Sequence, residues 1–349
     1  MRIDVEFPSL GATLRGWLYQ PDLPVAPAVV MAHGFSATRS MTIDKYAEAF
    51  YATGFAVLLF DHRGFGASDG TPRLRVSPWV QARGYMDAVA FVSQLDGVDA
   101  RRIAIWGDSF SGSVACVVAA IDERVGAVVA QVPAFGEKPA PADAGGDLFG
   151  ALRAAALSDD VLDFGQPFTG PLPVVSPDQA RQPSALKPLT ALRWFTEHGG
   201  RLGSGWINDV TLALGEEPTP WHPGLCAPHL KVPVLMVVAP EDEMARANPS
   251  VARTVFDSMR CAKEWYAIGG GHFGLLYHPS ELLVEARAVQ LSFLRRWADP
   301  SAAGITLGSG GERLSEQQLA LNRQRRSTTD VDHHLERPHR RLDHGVRLG

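Results

Sequence analysis

Along the first twenty residues apolar and polar side chains alternate with a period of two, at 2–6 and again at 12–19, on either side of a Pro-Ser-Leu-Gly turn. That period puts one face of a strand on a core and the other in water, so the segment reads as two antiparallel strands at a sheet edge. The pattern then changes. AVVMAH beyond Pro27, FAVLLFD at 55–61, IAIWGD at 103–108, VGAVVAQV at 125–132 and PVLMVVA at 233–239 are short unbroken apolar runs, suited to strands buried on both faces. Helical spacing runs over 41–53, 78–95, 109–121, 247–259 and 279–298. Strands alternating with helices predict an α/β fold with a mostly parallel central sheet and helices on both faces.

The rhythm stops between Pro133 and Pro233, where Pro, Gly and Ala accumulate (EKPAPADAGG, PFTGPLPVVSP) and helices are expected near 147–158 and 184–198. Loops above the C-terminal ends of parallel strands are where open α/β sheets build their sites. The segment therefore reads as a lid at 134–227, inserted into a core made of 1–133 and 228–298. Beyond Pro300 the chain is poor in large apolar residues and rich in charge, and 299–349 is expected to be a disordered tail. His333, His334, His339 and His344 lie there at spacings that fit no tight metal site.

Composition narrows the class. A chain of 349 residues, 46% hydrophobic, can bury a full core without staples. Cys116, Cys226 and Cys261 form no CxxC pair, which indicates neither a zinc site nor a disulfide framework and fits a reducing compartment. A net charge of −5 argues against nucleic acid or anionic membrane as a partner. The N-terminus alternates and carries acids where a secretory signal would be basic and then apolar, and no apolar window has the length of a membrane span. A cytoplasmic protein is expected, with homodimerisation left open.

The chemistry concentrates in GDSFSG, 107–112, which interrupts two segments otherwise built for burial. Gly107, Ser109 and Ser111, with Gly112 following, have the spacing of a nucleophile elbow: a strained strand-to-helix turn that exposes a serine hydroxyl, flanked by small residues so that strand and helix can approach. A serine hydroxyl is a weak nucleophile at neutral pH and needs a base, which in turn needs an orienting acid. Among eleven histidines, His272 in AIGGGHFGLLYHP has the best context, after the apolar run EWYAI and a glycine hinge; His278, before Pro279, reads as a helix-entry residue. The acid falls between serine and histidine in chain order, at the end of PVLMVVAPED, where Glu241, Asp242 and Glu243 compete.

Acyl transfer also needs two backbone N–H donors for the tetrahedral oxyanion. Phe110, after the nucleophile at a helix N-terminus, supplies one, and Phe35, in the loop His33-Gly34-Phe35-Ser36, supplies the other. His33 itself reads as a brace for that loop. FDHRGFGASDG at 60–70 lacks the order of a phosphate-binding motif; Gly64, Gly66 and Gly70 read as a tight loop that Asp61 and Arg63 help to fix.

With HGFS, DHRGFGASDG, GDSFSG, APED and GGGHF in this order, residues 1–298 resemble the α/β-hydrolase superfamily. PWVQARGYMDAVAFV, RIAIWGDSFSGSVACVVAAIDERV and the lid stretch GWINDVTL are similar to the branch of dienelactone hydrolase-like, X-prolyl dipeptidyl peptidase-like and fungal polyketide transferase or thiohydrolase-like proteins. The resemblance implies Ser109 as nucleophile, His272 as base and Asp242 as acid, with Phe35 and Phe110 as oxyanion donors. It departs at Ser113, where many relatives have glycine, at Asp108, often uncharged, and at Gly274, where an acid is frequent.

The function expected is that of a cofactor-independent serine hydrolase, forming an acyl-enzyme from a small to medium, partly apolar ester or thioester. Acyl transfer, carbon-carbon bond hydrolysis and peptide cleavage use the same triad, and a non-catalytic binding protein on this scaffold is the alternative from another class. Serine at the nucleophile position speaks against a dehalogenase or epoxide hydrolase. Trp206 and Trp221, with Phe164 and Phe168, are the lid aromatics expected to line an apolar substrate pocket or else to pack the lid on the core.

Overall fold

The computed structural model of the chain describes residues 1–298; the expected tail at 299–349, with its four histidines, lies outside the described residues. Eight strands form one sheet: β1 (Arg2–Ser9), β2 (Ala12–Tyr19), β3 (Ala26–Ala32), β4 (Ala56–Phe60), β5 (Val98–Asp108), β6 (Val125–Gln131), β7 (Val234–Val238) and β8 (Lys263–Ala267). Their spatial order is β1-β2-β4-β3-β5-β6-β7-β8. β2 pairs antiparallel with β1 and β4, and every other neighbouring pair is parallel, as the apolar runs predict.

Two elements differ from the sequence pattern. β1 continues through Pro8 and Ser9, so the turn is only Leu10 and Gly11, with φ of 48° and 70°. Two left-handed residues match the twist of a two-residue hairpin, and Pro8 is tolerated because β1 is an edge strand. β8 closes the other edge; all five of its residues are half-buried, so it lacks the unbroken apolar signature of the central strands.

The helices, in chain order, are α1 (Asp44–Tyr51), α2 (Pro78–Ser93), α3 (Ser109–Ile121), α4 (Asp147–Leu157), α5 (Leu189–Gly199), α6 (Pro249–Ser258), α7 (Gly271–Gly274) and α8 (Glu281–Ala298). The alternating strand side chains divide the core in two. Val30, Ile103, Ile105 and Val128 pack with α2, α3 and α6, whereas Val29, Met31, Trp106 and Val129 pack with α1, α5 and α8. Trp106 Nε1 donates to Gln290 Oε1 at 2.8 Å, and Gln290 Nε2 donates to Gln131 Oε1 at 2.7 Å, which registers α8 on the centre of the sheet. Among the described residues no helix is long and apolar enough to cross a membrane.

The segment between the paired strands β6 and β7 holds α4, α5 and a 3-10 turn at Pro223–His229. Hydrogen bonds tie it to the core. The Thr211 N–H donates to the Leu74 carbonyl at 2.9 Å, and Arg75 donates to the carbonyls of Leu162 and Phe164 at 2.7 and 2.6 Å. Thr38 and Ser40 hydroxyls both donate to the Ser204 carbonyl, at 2.7 and 2.9 Å. The buried side of α5 is Ala191, Trp194, Phe195 and His198, a helical stripe that faces the C-terminal ends of the strands.

Candidate active site

β5 runs directly into α3, and Ser109 sits at the junction with φ of 53°, in the left-handed region that a non-glycine residue occupies only under constraint. The constraint is steric. A Cβ on Gly107 would stand 2.4 Å from the Ser111 carbonyl oxygen, and one on Gly112 would stand 3.0 Å from the Gly107 carbonyl oxygen. Only small residues let strand and helix meet this closely, and the turn aims the Ser109 hydroxyl away from the sheet.

His272 arrives from the other side of the sheet. β8 is followed by Gly270 and Gly271, with φ of 105° and 71°, and the short turn α7 lowers the imidazole onto Ser109. His272 Nε2 lies 2.9 Å from Ser109 Oγ, and His272 Nδ1 lies 2.7 Å from Asp242 Oδ2. Asp242, at the turn after β7, can only accept, so the ring proton resides on Nδ1 and Nε2 accepts from the serine hydroxyl. Asp242 Oδ1 accepts the Met244 N–H at 2.8 Å, which holds the carboxylate in place. The side chains of His272 and Asp242 are 3% and 1% exposed, enough to keep water from competing for the bond between them.

The three acids of the APED turn are thereby distinguished. Asp242 meets the imidazole, Glu243 accepts the backbone N–H of His272 at 2.8 Å, and Glu241 is exposed. The carboxylate that meets the imidazole is the one the resemblance implies.

The loop after β3 lies against the serine turn: a Cβ on Gly34 would stand 3.2 Å from Ser109 Cβ. The Phe110 N–H belongs to the first turn of α3, where amides have no partner in the preceding turn, and the next residue after Gly34 is Phe35. The two phenyl rings meet edge to face with centroids 6.2 Å apart, and both residues lie beside Ser109. The loop is braced from beneath. His33 Nδ1 donates to the Gly34 carbonyl at 2.9 Å, while its Nε2 accepts the His62 N–H at 3.1 Å. The Ser111 hydroxyl donates to the His33 carbonyl and accepts from His62 Nε2 at 3.0 Å. Burial lowers the pKa of both histidines, His62 further with His33 adjacent, so both stay neutral braces. Sequence reading found the role of His33 but treated Ser111 merely as small.

Asp108 is buried at the end of β5. Burial pushes its carboxyl up to about 6, against the pull of His272 and of the backbone amides of Asp108 and Gly34. Its position is that of an N-cap for α3, yet it makes no capping bond, and among the described residues its Oδ1 has no partner.

A narrow recess, its enclosed space about 30 Å³, opens above Ser109 and His272. Its walls are Phe35, Ala37, Leu186, Trp194, Phe195, Met244, Phe273 and Leu276, with Gly34 and Asp108 at the floor. Trp206 and Trp221 are not among these residues. Trp206 packs on Phe195 with ring centroids 5.4 Å apart, behind the wall, and Trp221 packs edge to face on Trp79 at 4.8 Å, on the opposite face of the sheet. Phe164 also meets Trp79, and Phe168 lies under the Arg75 guanidinium at 4.2 Å. Trp221, Phe164 and Phe168 pack the insertion on the core and Trp206 packs within the insertion; α5 gives the wall Trp194 and Phe195, for which the helical spacing of Ala191, Trp194, Phe195 and His198 was the available signal.

The remaining chemistry of the chain points elsewhere. Asp61 accepts the Arg39 and Ala67 N–H groups at 2.8 and 3.0 Å, and Arg63 donates to the Thr71 carbonyl at 3.0 Å, so the 60–70 loop is fastened as expected. The three cysteines are free, and burial pushes the Cys116 and Cys226 thiols up, away from nucleophilic use. Among the described residues no group of three His, Cys, Asp or Glu side chains is disposed to hold a metal ion.

Comparison with known proteins adds a lineage. Residues 27–279 match the family described as alpha/beta hydrolase fold. Polyketide transferase af380 of Aspergillus fumigatus is 32% identical, over 85% of this chain and 99% of its own. Quorum-quenching protein AidA of Acinetobacter baumannii is 30% identical over 84% of this chain and 94% of its own, and a thiohydrolase of Eupenicillium brefeldianum is 31% identical over 82% and 92%. The crystal structure of the alpha/beta hydrolase GrgF from Penicillium superposes with a TM-score of 0.66 at 30% identity, over 85% of this chain and 99% of that one.

Proposed function

Because the chain belongs to the α/β-hydrolase fold family, we propose that it is a serine hydrolase of esters or thioesters with a small to medium, partly apolar acyl group. The observation that carries this reading is the continuous hydrogen-bonded path from Ser109 through His272 to Asp242, at 2.9 and 2.7 Å, beneath an apolar recess.

Ser109 Oγ attacks the substrate carbonyl carbon while its proton passes to His272 Nε2. The carbonyl oxygen takes the negative charge and is met by the N–H groups of Phe35 and Phe110; the positive end of α3 adds to that field. The imidazolium, steadied by Asp242 on Nδ1, gives its proton to the leaving alcohol or thiol, and the acyl group remains on Ser109. Water then enters, loses a proton to His272 and attacks the acyl carbon, and Ser109 recovers its proton as the acid departs. No cofactor takes part in these steps.

Relatives named as thiohydrolases support a thioester as substrate, and relatives named as polyketide transferases favour a second reading, in which an alcohol or amine replaces water in the last step. Both readings share the acyl-enzyme. The test compares wild type with Ser109→Ala on esters, thioesters, lactones and aminoacyl substrates of graded size, with and without an added alcohol. A loss of at least about a thousandfold in kcat/KM is expected in the variant. Equal activity in the two proteins overturns the proposal, and product esters formed with the alcohol identify transfer.

A further inference from the structure

Glu243 follows the proposed acid, yet its two carboxylate oxygens face different parts of the molecule. Oε2 accepts the backbone N–H of His272 at 2.8 Å, and Oε1 accepts the hydroxyl of Thr190. Thr190 lies in the first turn of α5, the helix that brings Trp194 and Phe195 to the recess wall. One side chain therefore joins the insertion to the segment that carries the base.

The fit around this joint is tight. Gly271, with φ of 71°, leaves no room for a side chain, since a Cβ there would stand 2.6 Å from Glu243 Oε2. Further along, Trp194 stacks on Phe273 with centroids 5.4 Å apart, and its Nε1 donates to the Leu276 carbonyl at 3.4 Å. The 271–276 segment is thus gripped at its start by Glu243 and along its length by α5. His272 must reach Asp242 and Ser109 at once, and a displacement of about 1 Å at such a site costs on the order of a hundredfold in rate.

We infer that Glu243 is a positioning residue that couples the seat of α5, the wall of the acyl recess, to the placement of His272. The inference rests on the reading of His272 as the general base. It assigns Glu243 no contact with substrate: its action passes through the His272 backbone on one side and through Thr190 on the other. An acceptor for the His272 N–H is what the role requires. Glutamine supplies one, and keeps a group for Thr190, whereas alanine removes both.

The experiment measures kcat and KM on an activated ester for wild type, Thr190→Val, Glu243→Ala, Glu243→Gln and the Thr190→Val/Glu243→Ala double variant, with fluorophosphonate labelling of Ser109 in each. Thr190→Val frees α5 from Glu243 but keeps the His272 N–H bond, so KM is expected to rise about threefold or more and kcat to fall by less than in Glu243→Ala. Glu243→Ala is expected to lower kcat about tenfold or more, Glu243→Gln to return it to within about threefold of wild type, and Thr190→Val to add nothing on the alanine background. Wild-type kcat in Glu243→Ala overturns the inference, as does a Thr190→Val effect of equal size in both backgrounds. A wild-type protein that takes no label at Ser109 refutes the triad reading instead, whereas a labelled wild type with additive variants refutes the role of Glu243 alone.

Discussion

Gly34 and Asp108 are packed so closely that a methyl group on Gly34 would stand 3.0 Å from the Asp108 carboxylate and 3.1 Å from its carbonyl oxygen. The same methyl would press on Ser109, so the loop proposed to offer the Phe35 N–H owes its position to the missing side chain. Gly34→Ala is expected to shift that N–H by a few tenths of an ångström and to lower kcat about tenfold or more, with KM little changed, because the donor serves the transition state rather than the bound ester. Affinity for a boronic acid that mimics the tetrahedral intermediate should fall by a similar factor. Unaltered kcat and unaltered boronate affinity would remove Phe35 from the oxyanion site.

Asp108 carries a cost that pH exposes. Its carboxyl is pushed from 3.8 up to about 6, chiefly by burial, so the folded protein holds this proton more tightly than the unfolded chain does. Between these values the unfolded state binds fewer protons, and the contribution of Asp108 to stability falls as pH rises through the window, reaching a penalty of about 3 kcal/mol above it. Asp108→Asn removes the charge with little change of shape. Thermal unfolding should show the variant more stable than wild type at pH 7.5 and the gain shrinking to nothing below pH 4; a gain that does not vary with pH would mean that the Asp108 carboxyl binds its proton equally well in the folded protein and the unfolded chain.

On the proposed function, the wall of the recess is what would select the size of the acyl group. Leu186, half-buried at the mouth, reaches it from the inserted segment, whereas Trp221 is engaged with Trp79 on the far face. Leu186→Trp should raise KM for long acyl chains by about tenfold and leave acetyl esters nearly untouched, and Trp221→Phe should leave chain-length preference as it is. Kinetics on a series of ester chain lengths checks both. A preference that moves with Trp221 would place the acyl group elsewhere.

The serine turn was readable because its signal is backbone geometry written locally: Gly107 and Gly112 must be small where strand meets helix, and Ser109 is the residue that the turn exposes. His272 was readable for a similar reason, since Gly270 and Gly271 supply the left-handed backbone that delivers it. The choice among Glu241, Asp242 and Glu243 was not, because three carboxylates on one turn differ only in direction, and the resemblance decided what spacing left open. Whether the insertion's aromatics line the recess or pack the insertion was left open in the sequence for a longer-range reason. Which rings of the insertion face the serine depends on how it is fastened, through bonds such as Thr211 to Leu74 and Arg75 to Phe164, between residues more than eighty positions apart. Trp206 and Trp221 stand out by composition, but the rings of the insertion that reach the recess are Trp194 and Phe195 of α5.

The acyl group on Ser109 is the species from which every functional proposal follows, and intact-protein mass spectrometry after brief mixing with a p-nitrophenyl ester looks for it directly. Wild type quenched in acid within the first turnovers should gain the mass of one acyl group, with peptide mapping placing it on Ser109, and Ser109→Ala should gain none. An equal mass gain in both proteins, or rapid turnover with no adduct at any quench time and no fluorophosphonate label on Ser109, would contradict nucleophilic catalysis by Ser109.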